Sequence, residues 1–232
     1  MKYVSCRKSF DSVDGAPVAN AAWFGRAVPE GLEFVMVHGY NCQAESTRDA
    51  YRASCEIARE TGIEIPRVGY LWPGLGGNWI QSVEFHRAQA QADLSASKLA
   101  DYLALGPPGI VMAHSLGAKV AIEAAVKFGA KIKLLVLMGA AVAADCFVTD
   151  YAQASKTIGK IHVFWSSRDD VLGKAFMLDQ FKHALGHDGP AGVVPSWVIA
   201  TDVTDVVGSH SGYRFDRALW KAVKTDIETM PA

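Results

Sequence analysis

The 232-residue sequence lacks the features that would direct it to a membrane, a zinc site or a nucleic acid. No apolar run approaches the roughly 18 residues of a membrane-spanning helix, and residues 1–14 carry scattered charges where a signal peptide has an apolar core. The four cysteines form no C-x-x-C pair and no zinc spacing, which is typical of reduced thiols in an intracellular protein. The net charge of −1 gives no reason to expect a nucleic acid or an anionic membrane as partner. We therefore expect a cytoplasmic protein without stable membrane association, of undetermined oligomeric state.

Hydrophobic residues make up 50% of the chain, enough to bury the core of one larger domain, which we predict over residues 1–232. Apolar runs typical of strands alternate with helical patterns along most of its length. This alternation predicts an α/β fold with a mostly parallel sheet flanked by helices. Only about twenty residues separate the strands ending at Met138 and starting near Lys160, so any lid between them is small or absent.

The predicted strands cover residues 33–37, 66–72, 110–114, 133–138, 160–165 and 196–201. The predicted helices cover residues 46–60, with Ser46 as the cap, then 84–105, a segment after Ser115, and 216–228. The first thirty residues do not alternate, and they predict one or two antiparallel edge strands around residues 3–7 and 21–27.

The most informative segment is an apolar strand that ends abruptly at Ser115 and is followed at once by a helix-forming segment. This strand–turn–serine–helix order is typical of the nucleophile elbow, a turn so tight that small residues must flank the serine. Ala113 and Gly117 meet that requirement. A serine hydroxyl needs a base to take its proton and a third group to orient the base. The expected order along the chain is serine, acid, histidine.

The candidate acids follow the strand two beyond the serine strand. Asp169 is favoured over the alternative Asp170, because an apolar pair follows at Val171 and Leu172. The candidate base is His210, which lies in a glycine-flanked loop after the last predicted strand. His183 and His187 are the only other histidines after the acid, and both fall in or at the end of a predicted helix.

Acyl transfer also needs donors for the developing oxyanion, commonly two backbone N–H groups. We predict that Leu116 supplies one, because it follows the serine at a helix N-terminus, and that Tyr40 supplies the other from the loop after the 33–37 strand. His38 then fixes that loop as a structural residue.

Trp72, Trp79 and His114 are candidate walls of a substrate pocket, and core or rim packing is equally plausible for the two tryptophans. Residues 74–79 are glycine-rich but lack the Lys-Ser/Thr of a P-loop and the dinucleotide fingerprint, so no phosphate-bearing cofactor is predicted. Asp202 and Asp205 have no histidine or third carboxylate at ligand spacing, and we expect a solvated turn there and no metal.

With these motifs in place, the chain resembles the α/β-hydrolase superfamily. More narrowly it is similar to a bacterial group of uncharacterised α/β-hydrolases with a Val-His-Gly-Tyr-Asn motif, a Trp-Pro after the next strand and a His-Ser-small-Gly elbow. The matching residues here are 37–41, 72–73 and 114–117. The resemblance implies the fold and the triad, and it implies almost nothing about the substrate.

Together these patterns predict a cofactor-free serine hydrolase that cleaves carboxylic esters of small or medium acyl substrates. A thioesterase, lactonase or amidase would use the same residues. A non-catalytic binding protein on a hydrolase fold, or a lyase or perhydrolase on the same triad, are the alternatives from other classes.

Overall fold

The computed structural model describes residues 2–7, 22–24, 31–74, 82–107, 109–176 and 182–230. Strands and helices alternate along it, as predicted. The strands are β1 (Lys2–Ser5), β2 (Ala22–Phe24), β3 (Phe34–Val37), β4 (Arg67–Leu71), β5 (Gly109–His114), β6 (Ile132–Met138), β7 (Ile158–Trp165) and β8 (Val198–Asp202). The α-helices are α1 (Ala44–Glu60), α2 (Ser82–Leu103), α3 (Gly117–Val126), α4 (Leu185–Asp188) and α5 (Arg217–Glu228).

All eight strands form one sheet in the order β2-β1-β4-β3-β5-β6-β7-β8, with β5 near its centre. Seven of the strands are mutually parallel, which confirms the prediction of a mostly parallel sheet flanked by helices. In a parallel sheet the carboxyl ends of all strands lie at one edge, where α/β proteins place their sites. The loops after β3, β5, β7 and β8 therefore meet at that edge.

The prediction for the N-terminal strands was half wrong. β2 is an antiparallel edge strand, as expected, but β1 runs parallel to β4 and lies inside the sheet. Because β2 covers its outer edge, β1 is flanked by strands on both sides. Val4 and Ser5 are fully buried as a result.

Helix α1 begins two residues before the predicted cap. Gln43 is its N-cap, and the Ser46 hydroxyl donates to the Gln43 carbonyl at 3.2 Å instead of accepting a backbone N–H. The predicted end of this helix agrees with the structure, since Gly62 adopts a φ of 85° directly after the last turn.

Two apolar layers cover the sheet, one on each face. One layer joins the sheet to α2 and α3, and the other joins it to α1 and α5. The central strand β5 is buried along its whole length, which explains its continuous apolar sequence. Because β5 is packed on both faces, the position of its C-terminal end in the sheet is fixed, and so is the position of the residues that follow it.

The segment between β6 and β7, residues 139–157, contains turns and a single 3₁₀ turn at Ala154–Lys156, in line with a small lid. Within the described ranges, every helix is too short or too polar to cross a membrane. All four cysteines are free thiols.

Candidate active site

Ser115 lies directly after β5, in the turn that leads into α3. Its φ of 55° is in the left-handed region, which residues other than glycine rarely adopt. Three backbone hydrogen bonds hold this conformation: the Ser115 N–H donates to Met138 at 3.1 Å, and the Ser115 carbonyl accepts from Ala118 at 3.0 Å and from Ala141 at 3.1 Å. Backbone strain of this kind costs about 1–3 kcal/mol and is concentrated at functional sites. The buried Ser115 hydroxyl has no hydrogen-bond partner among the residues described.

Close backbone packing around the elbow explains its small residues. A Cβ atom at Gly117 would stand 2.4 Å from the His38 carbonyl oxygen, so α3 starts in direct contact with the loop after β3. A Cβ atom at Gly39 would stand 2.6 Å from the Cβ of Ser115. The loop after β3 therefore lies against the serine side chain itself.

The predicted acid and base form a hydrogen bond. His210 Nδ1 lies 2.8 Å from Asp169 Oδ2, and the other carboxylate oxygen of Asp169 accepts the N–H of Leu172 at 3.2 Å. The Asp169 side chain is fully buried and that of His210 is 13% exposed. Tyr213 lies on the same side as the acid, since a Cβ atom at Gly139 would stand 2.8 Å from the Tyr213 ring and 3.2 Å from Asp169 Oδ2. Burial and the Asp169 charge raise the pKa of the Tyr213 phenol.

The alternative acid and the alternative bases lie elsewhere. The side chain of Asp170 is 82% exposed and forms an ion pair with Lys174 at 3.3 Å. His183 precedes the short helix α4 and His187 lies within it, and both face Asp188 at 3.3 and 3.1 Å. The structure thus brings Asp169 together with His210 and leaves the alternatives in local surface contacts.

His114 connects the elbow to the loop of the candidate base. Its Nε2 lies 2.7 Å from the carbonyl oxygen of His210, and the two imidazole centroids are 4.7 Å apart. Burial, and after it the charge of Arg214, lowers the pKa of His114 well below its usual value, so the ring is neutral. A carbonyl only accepts, so Nε2 carries the proton. His114, the residue before Ser115, therefore holds the backbone of the candidate base.

His38 fixes the loop that approaches the serine. Its Nδ1 lies 2.8 Å from the Gly39 carbonyl oxygen, and its Nε2 accepts the Trp72 N–H at 3.1 Å. Burial and the adjacent Arg7 lower the pKa of His38 well below its usual value. The neutral ring therefore donates from Nδ1 to Gly39 and accepts at Nε2.

This bond orients the amide predicted to bind an oxyanion. The carbonyl of Gly39 and the N–H of Tyr40 belong to one trans peptide plane, so they point in opposite directions. The hydrogen bond from His38 Nδ1 orients the Gly39 carbonyl toward the imidazole ring, so the Tyr40 N–H points away from that ring. The second predicted donor, Leu116, is the N-cap residue of α3, where backbone N–H groups have no partner within the helix.

Arg7 is a site residue that the sequence did not reveal. Its guanidinium is completely buried behind the loop after β3, where it donates to the carbonyls of Trp72 and Cys42 at 2.9 Å each and lies 3.2 Å from His38 Nε2. Nothing in the residues around position 7 distinguishes this arginine from one on the surface, because its partners come from two distant segments, the loop after β3 and the end of β4.

Trp72 supports the same loop. Its ring stacks on His38 with 5.4 Å between centroids, and its Nε1–H donates to the His38 carbonyl at 2.8 Å. The side chain is fully buried, so in this structure it offers no surface to a ligand. Trp79 and most of the glycine-rich segment lie outside the described residues.

A cleft of about 150 Å³ lies along the segment after β6, and Ser115, Asp169 and His210 do not line it. Its lining includes Ala141, whose N–H donates to the Ser115 carbonyl, together with Lys119, Tyr151 and Lys182.

In the described part of the chain, no cluster of three or more His, Cys, Asp or Glu side chains could hold a metal ion. Asp202 instead accepts the N–H of Thr204 at 2.9 Å in a local turn.

Residues 18–193 match the model of a family described as alpha/beta hydrolase of unknown function, DUF900. The chain belongs to this family. The matched segment contains the elbow and Asp169 and ends before His210, whereas the fold carries the family's α/β-hydrolase architecture through to β8 and α5.

Two solved structures show that this DUF900 protein shares its fold with other α/β-hydrolases. An esterase, PE8, is 14% identical with a TM-score of 0.51, and the match covers 88% of this chain and 96% of the esterase. A pyrethroid hydrolase from Sphingobium faniae JZ-2 is also 14% identical with a TM-score of 0.50, covering 85% of this chain and 98% of that one. At this identity the likeness concerns the fold alone. Among curated proteins, none matches the sequence significantly.

Proposed function

We propose that this DUF900 protein is a serine hydrolase that cleaves carboxylic esters of small or medium acyl substrates through an acyl-enzyme on Ser115. The observation that carries the proposal is the 2.8 Å contact between buried Asp169 and His210, whose own carbonyl is held by the residue before the strained serine. A protein that only binds ligands has no need for this combination.

The contact with Asp169 also assigns the basic nitrogen of His210. An ionised carboxylate only accepts, so the proton of the neutral ring is on Nδ1 and the lone pair is on Nε2. In the proposed reaction Ser115 Oγ attacks the acyl carbon while His210 Nε2 takes the serine proton. His210 then gives that proton to the leaving alcohol and activates the water that releases the acid.

The charge that develops on the carbonyl oxygen would be held by the N–H groups of Tyr40 and Leu116. Donors of this kind act because they are fixed before the reaction begins, and removing one typically costs about 10²–10³ in kcat. The hydrogen bond from His38 supplies such fixation for the Tyr40 peptide. His38 is therefore a positioning residue in this proposal.

Labelling with a fluorophosphonate, followed by peptide mapping, tests the proposal without a guess at the substrate. The probe traps a serine made nucleophilic by a nearby base. We expect a single adduct on Ser115 that disappears in Ser115→Ala and His210→Ala. Ser211→Ala is the matched control, because this exposed serine is adjacent to the base but has no role in the reaction.

Retention of the label in His210→Ala would remove His210 from the mechanism. No adduct on folded protein would refute the proposal and favour a binding protein on the same fold. With the label established, paired nitrophenyl esters, thioesters and anilides decide the leaving group, and we expect the esters to be hydrolysed fastest.

A further inference from the structure

The side chain of Arg7 connects two segments beside the candidate oxyanion site. The Arg7 backbone N–H donates to the Ser5 hydroxyl at 3.1 Å, which fixes the chain where β1 ends. From there the fully buried guanidinium donates from Nε to the Trp72 carbonyl and from Nη2 to the Cys42 carbonyl, both at 2.9 Å. Cys42 belongs to the loop after β3, which also carries Tyr40, and Trp72 directly follows β4. Arg7 therefore holds both segments through one rigid, planar group of donors.

The same Nη2 also faces the ring of His38. It lies 3.2 Å from His38 Nε2, which already accepts the Trp72 N–H at 3.1 Å. The two hydrogens of Nη2 thus serve the Cys42 carbonyl and the imidazole. A guanidinium is always protonated and only donates. Two donors therefore converge on Nε2, so the arrangement favours the tautomer that carries its proton on Nδ1.

The tautomer of His38 determines the orientation of the peptide beside the serine. With its proton on Nδ1, the ring donates to the Gly39 carbonyl 2.8 Å away. With the proton on Nε2, a lone pair would face that carbonyl, and the contact would be repulsive. The peptide of Gly39 and Tyr40 would then have to turn. Because a Cβ atom at Gly39 would stand 3.1 Å from Ser115 Oγ, that turn would move backbone that lies against the nucleophile.

The other titratable groups near this imidazole are neutral or act in the same direction as Arg7. Cys42, Tyr51 and His114 are neutral at neutral pH, because burial raises the pKa of the thiol and of the phenol and lowers that of the imidazole. The charge of Arg214 disfavours a second proton on the ring, and the charge of Arg7 lowers the pKa of the ring more strongly, second only to burial.

We propose that Arg7 is a positioning residue for the reaction: it keeps His38 in the neutral Nδ1–H tautomer and thereby keeps the Tyr40 N–H oriented for the oxyanion. The inference rests on the proposed function and adds to it a residue that does not touch the substrate. It makes the end of the N-terminal strand β1 a part of the catalytic apparatus.

Nitrogen-15 NMR of the histidine rings tests the inference without a substrate, with His38→Gln used to assign the signals. In the wild type we expect the His38 ring to stay neutral and protonated at Nδ1 from about pH 8 to about pH 5.5, where an ordinary histidine is mostly charged. Arg7→Met removes the charge and the donors, so the ring should take up its second proton at a higher pH. Arg7→Lys keeps the charge and should keep the ring neutral.

An Nε2–H tautomer in the wild type overturns the inference, and this result does not depend on whether Arg7→Met folds. An unchanged titration of His38 in folded Arg7→Met overturns it as well. A role of Arg7 in packing alone would lower stability without changing the state of the ring.

Turnover of nitrophenyl acetate gives the second measurement, with active sites counted by complete fluorophosphonate labelling of Ser115. A misoriented Tyr40 N–H acts on the transition state, so Arg7→Met should lower kcat per labelled site about 10- to 100-fold and leave KM within about threefold of wild type. Arg7→Lys should recover part of kcat. Arg217→Gln, at a side chain 65% exposed, is the matched control and should turn over like wild type.

An unchanged kcat per labelled site in Arg7→Met overturns the positioning role. Absence of an adduct on folded wild-type protein overturns the proposed function together with this inference. An adduct on Ser115 combined with the wrong tautomer of His38 overturns the role of Arg7 alone, so the two failures are distinguishable.

Discussion

Acidification to about pH 5.5 should destabilise the protein through two buried histidines of the site. His38 and His114 are buried, and their pKa values are held well below the ordinary value of 6.5. Below pH 6.5 the unfolded chain therefore binds more protons at these positions than the folded chain does. The free energy of unfolding must then fall as the pH falls.

The size of the effect follows from the unfolded-state pKa. Between about pH 7 and about pH 5.5, protonation of one exposed histidine stabilises the unfolded state by about 1.3 kcal/mol, provided that the folded ring stays neutral. Two such rings give a loss of about 2.5 kcal/mol, a large fraction of the stability of an ordinary domain. The contribution is fully present above the unfolded pKa and is lost progressively below it.

Urea unfolding at the two pH values measures this loss. His114→Gln keeps an amide N–H in reach of the His210 carbonyl but cannot titrate, so we expect the loss to be about 1.3 kcal/mol smaller than in the wild type. His183→Gln is the matched control, because that side chain is 67% exposed. Other titrating groups cancel in the comparison. An equal pH dependence in wild type and His114→Gln would show that His114 is not a neutral buried group, and the reasoning would fail.

Three further substitutions test other parts of the structure. Asp169→Asn should lower kcat by about 10⁴-fold, because the amide no longer fixes the correct tautomer of the base, whereas Asp170→Asn, at a side chain 82% exposed, should turn over like wild type; comparable activity in both would contradict the assignment. Gly117→Ala should lower the free energy of unfolding by about 1–3 kcal/mol, since its Cβ would stand 2.4 Å from a carbonyl oxygen. Gly31→Ala is the control, because a Cβ atom there meets nothing within 4 Å, and its free energy of unfolding in urea should stay within about 1 kcal/mol of the wild-type value. Equal losses of stability in Gly117→Ala and Gly31→Ala would contradict the packing argument. Asp216→Ala should cost about 1 kcal/mol in thermal unfolding, because the Asp216 carboxylate accepts two N–H groups at the start of α5; an unchanged melting temperature would deny it a capping role.

The parts of the fold predicted from the sequence are those encoded by neighbouring residues. β6 ends at Met138 and β7 at Trp165, as the apolar runs indicated, and α5 ends at Glu228. The elbow was also recognisable, because strand, small residues and serine are contiguous. The expected chain order of serine, acid and histidine likewise pointed to Asp169 and His210, which lie in contact in the structure.

Interactions between distant segments could not be predicted in this way. The orientation of β1 depends on its pairing with β4, more than sixty residues away in the chain, and its own four residues fit either direction. Arg7 depends on carbonyls of Cys42 and Trp72 that only the fold brings together.

The hydrogen bond from His114 to the His210 carbonyl also has a consequence for biosynthesis. A ribosome completes β5 and the elbow long before it reaches residue 210, and the segment that carries the histidine follows β8, the last strand of the sheet. A nascent chain would thus carry its serine without a base. On the proposed mechanism, an incompletely folded chain does not react with esters. Reactivity begins only when the His210 loop, which is synthesised late, forms its hydrogen bond with His114.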